Sequence, residues 1–105
     1  MTAQAAQPSW TFLTHHAHVL LCLAEDPQAR LRDVAERVGI TERAVLRILR
    51  DLEEEGYISH RRVGRRSHYQ INPDLPLRHP LQRHAQVRTL LSLVDGGNGP
   101  LADAH

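Results

Sequence analysis

A chain of 105 residues, 41% hydrophobic and 24% charged, has the composition of one globular domain rather than of a membrane protein or a disordered chain. The formal net charge is only +1, yet all 13 basic residues are arginine, and ten of them fall between Arg30 and Arg66. Cys22 is the single cysteine, which excludes an internal disulfide and a thiolate-rich metal site, and one Trp, one Phe and two Tyr are too few to line a large aromatic cofactor cavity.

The opening stretch, 1–9, is small, polar and interrupted by Pro8, and reads as a flexible tail. Trp10, Phe12 and Leu13 follow, and Thr14 is placed to cap a helix. That helix runs over 15–25, with Val19, Leu20 and Leu23 on a wide apolar face, and Asp26-Pro27 stops it. An optional short strand falls near Arg30 and Leu31. Leu31, Val34, Ala35 and Val38 recur at helical spacing and make a second helix of about two turns. Gly39 ends it, Ile40 plugs the turn and Thr41 caps a third helix whose apolar stripe is Val45, Ile48, Leu49 and Leu52. Two helices joined by a tight glycine turn form a helix-turn-helix. After Gly56, the stretches 57–63 and 67–71 read as two strands joined by a turn over 64–66, with Ile58, Tyr69 and Ile71 as the apolar face. Pro73, Pro76 and Pro80 stiffen a connector over 74–80. A last helix is expected over 81–94, and a glycine-rich flexible tail over 95–105. The fold class is therefore α+β and mainly helical: a three-helix core, a hairpin over a domain spanning 10–73, and a C-terminal helix.

Arginine suits a nucleic-acid surface because its planar fork grips a phosphate or a guanine edge with two hydrogen bonds. On the third helix Arg43 and Arg47 share a face opposite the apolar stripe, with Arg50 one turn on. Thr41, Glu42 and Ala44 lie at the N-terminal end, the end that a helix-turn-helix directs into the major groove. Glu42 either accepts from a cytosine amine or complements the helix dipole. The acidic Asp51, Glu53, Glu54 and Glu55 must then face away from the polyanion, and Arg50 has Glu53 and Glu54 within reach as ion-pair partners. In the hairpin Arg61, Arg62, Arg65 and Arg66 flank Gly64, a tip suited to a minor groove or a phosphate ridge. Basic residues on a hairpin also protect a sheet edge, so this second cluster gains meaning from the first.

The segment LRDVAERVGITERAVLRILRDLEEEGYI, followed by RRVGRRSHY, resembles the winged-helix regulators of the broad MarR and ArsR groups over residues 31–71. The resemblance implies that Thr41, Glu42, Arg43, Ala44 and Arg47 sit on a recognition helix and that Arg62, Arg65 and Arg66 sit on a wing. It also implies a dimer made through the first and last helices, for which Trp10, Phe12, Val87, Leu91 and Val94 are the candidates.

The function expected from all of this is sequence-specific binding of double-stranded DNA by a homodimer on a near-palindromic operator, as a transcriptional regulator and most naturally a repressor. Two alternatives stand beside it. One is a winged helix used for protein interaction or assembly, for which the near-zero net charge and the acidic helix end leave room. The other is a metal-responsive repressor using histidines: His15 and His18 are three apart, though no carboxylate lies within a turn of them before Glu25. His60 and His68 are placed to face each other across the hairpin, and His79 and His84, five apart, do not share a helical face. No metal or other cofactor is expected. No P-loop, nucleophile elbow, His-Glu-x-x-His or glycine fingerprint is present, so no enzyme is expected. With no secretory signal pattern and no apolar run of membrane length, the expected location is the cytoplasm, without a membrane partner. No residue pattern names a small-molecule effector.

Overall fold

The computed structural model describes residues 8–94. The expected tails, 1–9 but for its last two residues and 95–105, lie outside the described residues. The elements in order are α1 (His15–Glu25), α2 (Leu31–Val38), α3 (Glu42–Glu54), β1 (Ile58–Val63), β2 (Arg66–Ile71) and α4 (Val87–Leu91), with single 3-10 turns at Pro80–Gln82 and Ser92–Val94.

Local chemistry sets the boundaries. The Thr14 hydroxyl oxygen accepts the Ala17 N–H at 3.1 Å, and the Thr41 hydroxyl oxygen accepts the Ala44 N–H at 3.0 Å. Each satisfies one of the free amides that open a helix. Between α2 and α3 the chain reverses through Gly39 at φ 86°, a left-handed conformation in which a Cβ is strained. The Gly39 and Ile40 amides both donate to the Ala35 carbonyl, at 2.8 and 3.0 Å, which closes the end of α2.

Three helices and the hairpin enclose one core. Val19, Leu20 and Leu23 of α1 meet Val34, Ala35 and Val38 of α2 and Val45, Ile48, Leu49 and Leu52 of α3, and Ile58 closes the hairpin side. Among the described residues no polar or charged side chain is buried, so apolar packing holds the domain together without an internal ion pair. Cys22 is buried in this core, and that burial pushes its thiol above the ordinary range, although the nearby Arg37 guanidinium pulls it back. A folded-state value above the unfolded one means that the stability contribution is complete below the ordinary thiol range and is lost as pH rises from there through the raised folded-state value. The thiol should therefore resist a disulfide reagent at pH 8 until denaturant unfolds the chain. Labelling at the rate of a free thiol in native buffer would show that the core is open at α1.

The hairpin is antiparallel, with Ile58 opposite Ile71, His60 opposite Tyr69, Arg61 opposite His68 and Val63 opposite Arg66. This leaves a two-residue turn of Gly64 and Arg65, with Gly64 at φ 65°, as a primed turn requires. The tip is one residue tighter than the sequence predicts. The register also corrects the expected His60–His68 pair: His60 lies beside Tyr69, ring centroids 5.5 Å apart, and His68 lies opposite Arg61. The optional strand near Arg30 and Leu31 does not form, because Arg30 caps and Leu31 opens α2. One backbone bond from the Tyr69 amide to the Pro27 carbonyl, 2.9 Å, joins the loop after α1 to the hairpin edge.

The C-terminal part departs furthest from expectation. In place of a helix over 81–94, a 3-10 turn is followed by a single short helix starting at Val87. The expected connector is not a spacer either. Pro76 bridges Gln86, the Leu77 amide donates to the Ala85 carbonyl and the Val87 amide to the Leu75 carbonyl, both at 2.9 Å. The Tyr57 hydroxyl donates to the Pro76 carbonyl at 2.9 Å and ties this loop to the end of α3. Val87 is thereby buried at 1% exposure in the chain's own core and is not free to meet a partner, while Leu90 and Leu91 pack against that core. The prolines made 74–80 look rigid and separate. Backbone pairing, which periodicity does not report, folds it back instead.

Candidate nucleic-acid interface

The four buried residues of α3 take up one side of the helix, and this determines what the other side shows. At 100° per residue Arg43, Leu46, Arg47 and Arg50 fall within one sector opposite Val45, Ile48, Leu49 and Leu52, and all four are exposed. The described ion pairs are His16–Asp51, Arg37–Glu25, His60–Glu53 and Arg88–Asp74. Among the described residues, then, Arg43, Arg47 and Arg50 have no carboxylate partner; the expected pairing of Arg50 with Glu53 or Glu54 does not occur. Their positive charge is presented to solvent.

The start of α3 carries three more of the sequence candidates. Glu42 is exposed in the first turn, where its charge complements the helix dipole. Thr41 is exposed but uses its hydroxyl oxygen on the cap, and Ala44 is half-buried. The other end is held by neighbours. Asp51 pairs with His16 of α1 and Glu53 with His60 of β1, each at 2.9 Å. These carboxylates lie where the helix dipole disfavours them, and an imidazole from another element meets each. Asp51 and Glu53 thus anchor α3 on two sides, but the acidic end does not turn from the arginine face as a whole: exposed Glu54 falls in the same sector as Arg43, Arg47 and Arg50 and is separated from Arg43 and Arg47 along the helix axis.

In the hairpin Arg61, Arg62, Arg65 and Arg66 are all exposed. Strand alternation puts Arg62 on the face of Ile58 and His60, and Arg61 and Arg66 on the opposite face. Arg66 also donates to the Gln28 carbonyl at 3.1 Å, so it braces the hairpin against the loop after α1 as well as charging the tip. Burial raises the Tyr69 hydroxyl above its ordinary value and keeps it neutral at the root of the hairpin. Arg30, Leu46, Arg65 and Arg66 surround one hollow between α3 and the hairpin, floored by Leu23, Val34, Val45 and Leu49. Sequence reasoning missed Arg30 and Leu46 here. Leu46 was findable, since it lies off the apolar stripe and between arginines.

The other sequence candidates lie elsewhere. Trp10 and Phe12 stack edge to face, centroids 4.9 Å apart, and are 67% and 91% exposed. Leu91 and Val94 are half-buried, and the exposed apolar residues of the C-terminal part are Leu81 and Leu93. His15 and His18 line a small hollow with Trp10, but no three of His, Cys, Asp and Glu come together among the described residues. No described helix is long and apolar enough to cross a membrane.

Three helices, a glycine turn before the third, and an arginine-tipped hairpin after it define a winged helix-turn-helix. Residues 15–59 match the family model described as winged helix-turn-helix DNA-binding. Among solved structures, a variant of ZitR from Lactococcus lactis is similar with a TM-score of 0.55 and 20% identity, over 94% of this chain and 62% of that one. The PcaV transcriptional regulator from Streptomyces coelicolor, in complex with its natural ligand, is similar with a TM-score of 0.53 and 22% identity, over 88% and 67%. Wild-type ZitR in complex with DNA is similar with a TM-score of 0.50 and 22% identity, over 63% and 47%. At these identities the likeness is one of fold: a winged helix as in ZitR, a MarR family member. The chain spans about half the length of the ZitR chain in its DNA complex. No match is found among curated proteins.

Proposed function

We propose that the protein is a transcriptional regulator that binds double-stranded DNA through the N-terminal half of α3 and the hairpin wing. One observation carries the reading: the exposed sector of α3 holds three arginines with no carboxylate partner among the described residues, beside a tip with four more. What favours the reading is that these free charges cluster on the helix face and hairpin tip that a winged helix presents to DNA. Arg43 and Arg47 read base edges, and Arg61, Arg62 and Arg65 hold phosphates. The wild-type ZitR–DNA complex supports the reading through its shared fold. The protein acts in the cytoplasm as a homodimer on a near-palindromic site, typically as a repressor, without catalysis. Exposed Trp10 and Phe12 are the strongest candidates for the self-contact, because so large an aromatic pair facing water is costly unless covered.

Titrating duplex DNA at several salt concentrations tests this. Affinity should fall steeply with salt, and Arg62→Ala and Arg65→Ala should each reduce the slope of log K against log salt by about one, across all sequences alike. Salt-independent or absent binding would favour the protein-interaction alternative.

A further inference from the structure

Leu46 is the apolar exception on the charged face of α3. The other apolar residues of α3 beyond its first turn, Val45, Ile48, Leu49 and Leu52, are at most 9% exposed, whereas Leu46 is 50% exposed. It lies at the edge of the arginine sector, beside Arg43 and Arg50 and 100° around the helix from Arg47, and opens onto the apolar-floored hollow shared with Arg30 and Arg65. Its neighbours set the chemistry of whatever comes near: a surface of phosphates and base edges. Phosphate oxygens, sugar hydroxyls and the amino and carbonyl edges of bases all want a polar partner. In the major groove the thymine C5 methyl is the one protruding apolar group that the four bases offer a side chain.

We infer that Leu46 is a specificity-determining residue that packs on a thymine methyl, so that the preferred half-site carries a thymine beside the guanines read by Arg43 and Arg47. This rests on the DNA-binding reading above and adds to it a base identity. It also accounts for a leucine at a position where a polar residue serves solubility better. A leucine has no donor or acceptor, so it distinguishes thymine from the other bases by shape and desolvation alone. The discrimination should therefore be modest, about fourfold for one methyl group.

The test uses the full chain and the duplex that it prefers from a random library. Each thymine of that duplex is replaced in turn by deoxyuridine, which removes the methyl and leaves every hydrogen-bonding group in place. Binding by the wild-type chain should weaken about fourfold at one position of each half-site. Leu46→Ala should bind the thymine and uracil duplexes alike, while Leu46→Met retains most of the difference. Because Leu46 is half-exposed, both variants should fold, and an unchanged melting temperature checks this. Equal binding of thymine and uracil duplexes by the wild type overturns the inference, as does undiminished discrimination by Leu46→Ala. Failure of the wild-type chain to select any duplex overturns the DNA-binding reading itself, and this inference with it.

Discussion

Replacing Arg43 and Arg47 together by alanine is expected to erase the preference for an operator over random duplex. A bidentate arginine contact to a guanine edge discriminates by about 1–3 kcal/mol, or about 5- to 150-fold in Kd for each residue. Both residues are exposed and lie opposite the core stripe, so the double variant should keep its fold and its melting temperature. The informative quantity is the ratio of specific to non-specific Kd at one salt concentration. If the two arginines read bases, that ratio collapses toward one while binding to random duplex, carried by the wing, weakens far less. If they hold phosphates, both affinities fall together and the salt slope shrinks. An unchanged ratio would remove α3 from base recognition.

The second large effect concerns stability. Leu23 is 2% exposed and lies where α1 meets α2 and α3, under the hollow at the root of the hairpin. Leu23→Ala removes packed carbon there and leaves a cavity, at a cost of about 2–5 kcal/mol. Domains of this size have about 5–15 kcal/mol in total, so a single truncation takes a large share. Melting should fall by on the order of 10–25 °C, and the urea midpoint should drop with little change in m. A loss below about 1 kcal/mol would mean that α1 is only loosely seated on the helix pair.

Much of this was legible in the sequence because it depends on local chemistry. Thr14, Gly39 and Thr41 mark the helix ends, and the structure places their caps and turn at those residues. The apolar stripe of α3 is likewise a matter of spacing, and it carries the arginine face with it. What was not legible depends on contacts between distant segments. Nothing in the 74–87 stretch signals that Pro76 pairs with Gln86 or that Val87 enters the core; both need the Tyr57–Pro76 bond and the α1 surface to be in place. The partners of Asp51 and Glu53 were hidden for the same reason, since His16 and His60 lie on other elements. Leu46 was different: its register off the stripe was readable, and what the structure adds is the hollow that it shares with Arg30 and Arg65, which lie on other elements.

The two imidazole–carboxylate pairs have a mechanical meaning beyond their small energies, which at such exposed positions are about 0–1 kcal/mol each. They grip α3 at its acidic end, one from the first helix and one from the first strand, while the opening turns are seated in the core by Val45 and Ile48 and, among the described residues, have no side-chain hydrogen bond or ion pair to another element. The helix is thus seated along its length by the buried stripe and pinned at its acidic end. Under the proposed function, the exposed side chains at Arg43, Leu46 and Arg47 could be exchanged to suit another DNA sequence without disturbing either the buried seat or the pins at the acidic end.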